Sequence, residues 1–299
     1  MENFDVAIIG DRIEGVTCAI YCARAGLKTL LIEDLEVLGD DFNNLKLLHR
    51  LKKQAKDMGV IFIKCEVHSL WYKNNPKVIY TDDGPIGSTT IVLAMGVSHG
   101  KLGIPLESMF HGCGINYHDS CSVSYLKGRT VAVFGKDHLA INHAITLSAL
   151  SKQVYLIYPS DLLLSLGAKV EVLKNTPNIV MLAHTLIYGI EQRNKKMTGI
   201  NVIDKTTGNT SSLDCEIVYV SKKSKPNSKL CFPYVQLDKN GFIITDSTNK
   251  TNVEGVYAAG PIRSGLLEQA PNLNYTINAN MAATDGAIAA INAIKYINS

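Results

Sequence analysis

The chain lacks any apolar run of the roughly 18 residues that a membrane-spanning helix needs, so no membrane partner is expected. It also lacks a strong charge of either sign. Thirty Lys and Arg against 27 Asp and Glu leave a formal net charge of +3, too little to point to nucleic acid. Its seven cysteines are odd in number and irregular in spacing, which argues for reduced thiols over a disulfide framework. No secretory segment precedes the first apolar strand, and a cytoplasmic location is expected. A serine-nucleophile elbow and a paired-carboxylate motif are absent as well, and Trp71 is the only tryptophan. What remains is an ordinary globular composition in 299 residues, long enough for two domains.

The rest of the chain is organised around residues 5–34, DVAIIGDRIEGVTCAIYCARAGLKTLLIED. Val6 to Ile9 form a short apolar run, as a strand covered on both faces would, and Gly10 breaks it where a turn is needed. From Ile13 the apolar residues take helical spacing, Gly26 stops the helix, and Thr29 to Ile32 form a second buried strand ending at Glu33. This is the order of a dinucleotide-binding unit, with Glu33 placed to accept from ribose hydroxyls. Gly10 and Gly15 hold the first and third glycine positions, but Arg12 takes the second, where bare backbone admits a pyrophosphate, and Asp11 adds a negative charge. Arg12 either salt-bridges the pyrophosphate from the side or fills its place.

Leu45 to Met58 fit one face of a helix, Ile61 to Cys65 read as a parallel strand, and residues 66–90 as an antiparallel meander before a buried strand from Thr90 to Ala94. Residues 130–159 then repeat the opening unit at an offset of 125 without a gap: Val131 matches Val6, Gly135 matches Gly10, Ala140 matches Gly15, and Tyr158 matches Glu33. In this second unit Asp137 replaces the middle glycine, and Tyr158, Pro159 and Ser160 supply neither an acid for a ribose nor an arginine for a 2′-phosphate. Residues 179–220 alternate around turns, Ser221 to Ser228 form a polar link, Gly241 to Ile244 and Gly255 to Ala259 read as short strands, and Asn278 to Ile297 as an alanine-rich helix. The expected class is α/β: two Rossmann-like (three-layer ββα) nucleotide-binding domains, the second inserted in the first. Residues 1–112 and 240–299 are assigned to an FAD-binding-type domain and 113–239 to a degenerate NAD(P)H-binding-type domain.

A split first domain, an inserted second one, LAMGVSHGKLGIP between them and GVYAAG before the last helix together resemble the low-molecular-weight thioredoxin reductases of the pyridine nucleotide-disulfide oxidoreductases. The resemblance implies a homodimer and FAD contacts at Gly10, Asp11, Arg12, Ile13, Glu14, Gly15, Glu33, Asp34, Val67, Ala94, Met95, Gly96, Gly260, Pro261 and Asn278. Pro261 stands where the family has a ribityl-binding aspartate, and Ile277 and Asn278 where it has an Arg-Gln pair. His118 and Cys121 fall at the redox-pair positions, so HDSC replaces Cys-x-x-Cys, and a lone sulfur cannot cycle through a mixed disulfide. Cys113, His118 and Cys121 lack a fourth ligand for structural zinc, and no metal site is expected.

The residues therefore favour a flavoprotein that binds FAD and transfers electrons from a donor other than NADPH, such as a protein, without NADPH-dependent dithiol reduction. The alternative is a non-catalytic pseudoenzyme of the same fold, a dimeric scaffold or ligand sensor. Arg12 divides them: a side chain pointing away from the strand ends leaves the cleft open, and one folded over the turn blocks it.

Overall fold

The computed structural model describes residues 1–33, 42–98, 100–117, 123–160, 168–222, 224–265 and 279–299, with side chains given for all but 42–45, 123–124 and 168–169. The expected positions Asp34, His118, Cys121 and Asn278 lie outside the described residues. Contacts divide the chain into two compact units: the described residues of Met1–Ser98, Lys225–Pro271 and Ile277–Ser299, and those of His99–Ser224. These cuts precede the 112/113 and 239/240 read from the sequence. Phe110 packs among the second unit's core residues and Cys231 and Val235 among the first's.

The first unit opens with β1 (Glu2–Ile9), α1 (Ile13–Arg24), β2 (Thr29–Glu33), α2 (Phe42–Asp57) and β3 (Ile61–Lys64). The meander follows as β4 (Val67–Trp71), β5 (Lys77–Thr81) and β6 (Gly84–Leu93), then β7 (Val97–Ser98). The sheet order is β3-β2-β1-β6-β5-β4. Its face alternates as a period of two requires: Val6 and Ile8 join the helix-side core with Val16 and Ala289, while Ala7 and Ile9 join the opposite core with Leu70 and Val235.

The strand expected at Thr90 to Ala94 is not separate from the meander. β6 runs ten residues without a break, pairing antiparallel with β5 through Gly84 to Ser88 and parallel with β1 as far as Leu93. Buried Ser88 and Thr90 satisfy their hydroxyls on backbone carbonyls, so polar residues at the junction need no turn.

The second unit contains β8 (Ile115–Asn116), α3 (Val123–Leu126), β9 (Thr130–Gly135), α4 (His138–Ser148), β10 (Gln153–Ile157), α5 (Ala168–Lys174) and β11 (Ile179–Leu182). It ends with β12 (Thr185–Arg193), β13 (Lys196–Asp204), β14 (Thr210–Asp214) and β15 (Ile217–Ser221). Five parallel strands in the order β11-β10-β9-β15-β8 carry α4 and α5 on one face and the antiparallel β12-β13-β14 layer on the other. Asn194 and Lys195, both at positive φ, make the two-residue turn of the β12–β13 hairpin.

The chain returns to the first unit with β16 (Lys225–Pro226), which pairs with β7, then β17 (Val256–Ala258), which extends the sheet beside β6, and α6 (Ala279–Ile297). The strand expected over Gly241 to Ile244 does not form; Ile243 makes only isolated bridges to Leu237 and Arg263. Among the described residues no helix is long and apolar enough to cross a membrane.

Candidate functional site

The strand ends of the first unit meet at three glycine turns. Gly10 (φ +112°) follows β1, Gly96 (φ +62°) follows β6, and Gly260 (φ +81°) follows β17, all in backbone that favours glycine. Hydrogen bonds align them: Ala94 N–H donates to Ile9 O at 2.8 Å and Ala259 N–H to Leu93 O at 3.0 Å. A Cβ on Gly10 would strike the Ala94 carbonyl, and one on Gly15 the Gly10 carbonyl. The first and third glycines of the fingerprint thus do the packing work their positions suggest. Ile13 begins α1 and is buried with Ala94 in the helix-side core, and Val67 opens β4 on the far edge of the sheet.

Arg12 is the extended residue that starts α1, and its side chain does not cap the helix. It leans across the strand ends: its Cδ and Nε lie 3.8 and 3.9 Å from the point where a Cβ on Gly96 would stand. Glu14 turns into the same space. Its Oε1 is 3.9 Å from that point, and its Cγ, Cδ and Oε1 are 2.7–2.8 Å from the corresponding point on Gly260. Glu14 is only 3% exposed.

Asp11 and Glu33 are drawn together by Lys52, a residue on α2 with no place among the sequence expectations. Lys52 Nζ is 3.0 Å from Glu33 Oε1 and is also hydrogen-bonded to Asp11 Oδ2. Burial lowers the lysine's pKa, but the hydrogen bonds and charges of the two acids outweigh it and hold the ammonium above its ordinary value. The acid aligned to receive ribose hydroxyls is therefore already in an ion cluster.

Behind Gly260 lies a buried polar knot that sequence reasoning also missed. Asp285, 4% exposed on α6, accepts from the Gly260 N–H, from Asn249 Nδ2 at 3.1 Å, and from the Arg263 guanidinium. Arg263 Nε donates onward to Thr245 Oγ1 at 2.8 Å. Met95 and Gly96 are fixed by Asn227, whose Nδ2 donates to Met95 O at 2.9 Å and whose N–H donates to Gly96 O at 3.1 Å. The polar link thus contributes a side chain to the site.

In the second unit the turn after β9 is occupied by its own acid. Asp137 Oδ1 accepts from the N–H groups of Leu139 and Ala140 at 3.2 and 3.4 Å, capping the helix end at which a pyrophosphate would bind. A Cβ on Gly135 would stand 2.6 Å from Ala140 Cβ, and Tyr158 is buried in the helix-side core. Among the described residues one further constellation holds metal-type groups: Cys65 Sγ with Asp82 and Asp83, all within 4.8 Å of one another. Burial raises the Cys65 thiol's pKa, and Asp82 already accepts from the Glu66 N–H at 2.9 Å.

Comparison with known proteins matches this architecture to one family. Residues 4–275 match the pyridine nucleotide-disulphide oxidoreductase family. A thioredoxin reductase from Treponema pallidum is 30% identical over 312 aligned positions, covering 99% of this chain and 98% of its own. The thioredoxin reductase structure from Streptococcus pyogenes superposes with a TM-score of 0.87 at 21% identity, covering 99% of this chain and 98% of that one, and shares the fold. The T. acidophilum thioredoxin reductase structure gives a TM-score of 0.62 at 26% identity, with both chains covered completely. With two Rossmann-like units in a thioredoxin-reductase-like flavoprotein fold, the chain belongs to the pyridine nucleotide-disulphide oxidoreductase family.

Proposed function

We propose that this chain is a non-catalytic member of its family, a thioredoxin-reductase-like frame without bound flavin that acts as a dimeric scaffold or as the sensor of another ligand. The observation that carries the reading is the buried Glu14 carboxylate between Gly96 and Gly260. FAD brings a diphosphate to this cradle. An ionised carboxylate there would repel the diphosphate, by about 4 kcal/mol for each pair of unit charges about 4 Å apart at the effective dielectric of a protein surface. Arg12 brings one positive charge to offset this, while Lys52 is already engaged by Asp11 and Glu33. Counted formally, three carboxylates (Asp11, Glu14, Glu33) outnumber two cations (Arg12, Lys52) around the cleft by one before a ligand arrives. The donor set does not fit the cofactor.

The same logic applies to NADPH, since Asp137 caps the helix end in the second unit. The sequence also holds no Cys-x-x-Cys for a dithiol cycle. A second reading, the flavin-binding electron carrier fed by a protein donor, is favoured by the intact turn at Gly10 and by an α1 end that the Arg12 side chain leaves uncapped.

The visible absorption spectrum of the purified protein, before and after incubation with excess FAD and gel filtration, tests the choice. A colourless protein is expected, sedimenting as a dimer and without NADPH-dependent reduction of a dithiol protein. Retained flavin bands would overturn the flavin-free reading in favour of the second.

A further inference from the structure

We propose that Glu14 is the specificity-determining residue that excludes diphosphates from the first unit's cleft, and that its removal re-opens a site for the adenosine diphosphate half of a dinucleotide. The inference rests on the flavin-free reading above and assigns it to one side chain.

Three observations place Glu14 in that role. Its backbone is held against α6, where a Cβ on Gly286 would strike the Glu14 carbonyl oxygen, and its side chain reaches Gly260 and Gly96. There it fills space that only glycines leave, with Cγ, Cδ and Oε1 all within 2.8 Å of where a Gly260 Cβ would stand. It is also the second residue of α1, in the first turn, where the positive end of the helix favours an acid.

The surrounding frame keeps what a diphosphate needs. Gly10 retains the turn, Gly15 retains close helix-on-strand packing, Arg12 retains a guanidinium nitrogen 3.9 Å from the Gly96 point, and Glu33 at the end of β2 would have to exchange its Lys52 contact for ribose hydroxyls. Removing one carboxylate therefore brings the formal count of the cleft from −1 to zero without rebuilding it.

The test is calorimetric titration of the full chain with ADP, comparing wild type, Glu14→Ala and Glu14→Gln, with circular dichroism and thermal melting as checks of folding. Wild type is expected to show no saturable binding. Glu14→Ala is expected to bind at least tenfold more tightly, and Glu14→Gln to fall between, because it loses the charge and keeps the bulk. A folded Glu14→Ala that binds no better than wild type overturns the role of Glu14 while leaving the flavin-free reading in place. Saturable ADP binding by wild type, together with retained flavin, overturns both. If Glu14→Ala does not fold, the isosteric Glu14→Gln decides: a gain supports the proposal and no gain overturns it.

Discussion

Two glycines with similar backbone angles separate local strain from packing. Gly10 and Gly26 both sit at positive φ, +112° and +82°, but a Cβ on Gly10 would meet the Ala94 carbonyl, whereas one on Gly26 has nothing within 4 Å. Gly26→Ala is expected to cost about 1 kcal/mol, the conformational penalty alone. Gly10→Ala adds overpacking against backbone that cannot move aside, for a total of about 3 kcal/mol or more. Urea unfolding of the two variants checks the difference, and equal costs would mean that the β1 turn can relax. The Asp285 knot makes a second prediction. Asp285→Asn leaves the Arg263 guanidinium, 13% exposed, beside a neutral partner, and is expected to cost about 3 kcal/mol in the same measurement. Both glycines of the fingerprint were legible because turn chemistry is local in sequence. Asp285, Arg263 and Asn249 were not, because an ion pair between residues 22 positions apart leaves no spacing signal.

At the level of elements, the strand–helix–strand units and their repeat were legible, since apolar runs and helical periodicity report burial directly. α1, β2, β9 and β10 lie where that periodicity puts them. What periodicity could not report is how a polar face is used. Lys52 lies on α2 among other lysines in a sequence that gives it no distinction, yet it bridges the ends of β1 and β2 through Asp11 and Glu33. Its ammonium is held above the ordinary lysine value of 10.5, so the folded chain binds that proton more tightly than the unfolded chain. The stabilisation is therefore fully present below 10.5 and is lost as pH rises through the raised value. Lys52→Met is expected to be destabilised by about 1–2 kcal/mol at neutral pH. Its deficit relative to wild type should shrink at strongly alkaline pH, and a deficit independent of pH would point to lost packing instead. α4 offers the uncharged comparison. Asp137→Ala removes an N-cap and is expected to cost about 1 kcal/mol.

For the whole molecule, the insertion of one unit into the other was legible from the repeat and from the late strand and helix that complete the first sheet. The family resemblance put residues 10, 14, 96 and 260 on one ligand, but the space that the Glu14 side chain takes among them was not legible. Sequence alignment to a family marks those positions as contacts for a ligand, but whether a side chain at such a position holds the ligand or stands in its place depends on the direction it takes from the backbone. In Glu14 that direction is towards Gly260 and Gly96. The consequence is measurable without knowing the protein's partner. A ligand that binds only the folded state at a hundred times its dissociation constant stabilises it by about 2.7 kcal/mol. In a chain of 299 residues that moves the melting temperature by roughly 1.5–2 °C for each kcal/mol. If the first unit held FAD in its cleft, a large excess of FAD would raise the melting transition by several degrees. With the Glu14 carboxylate in the cradle, the expected shift for wild type is none, and a concentration-dependent rise would show that the cleft opens to admit a diphosphate despite the buried charge.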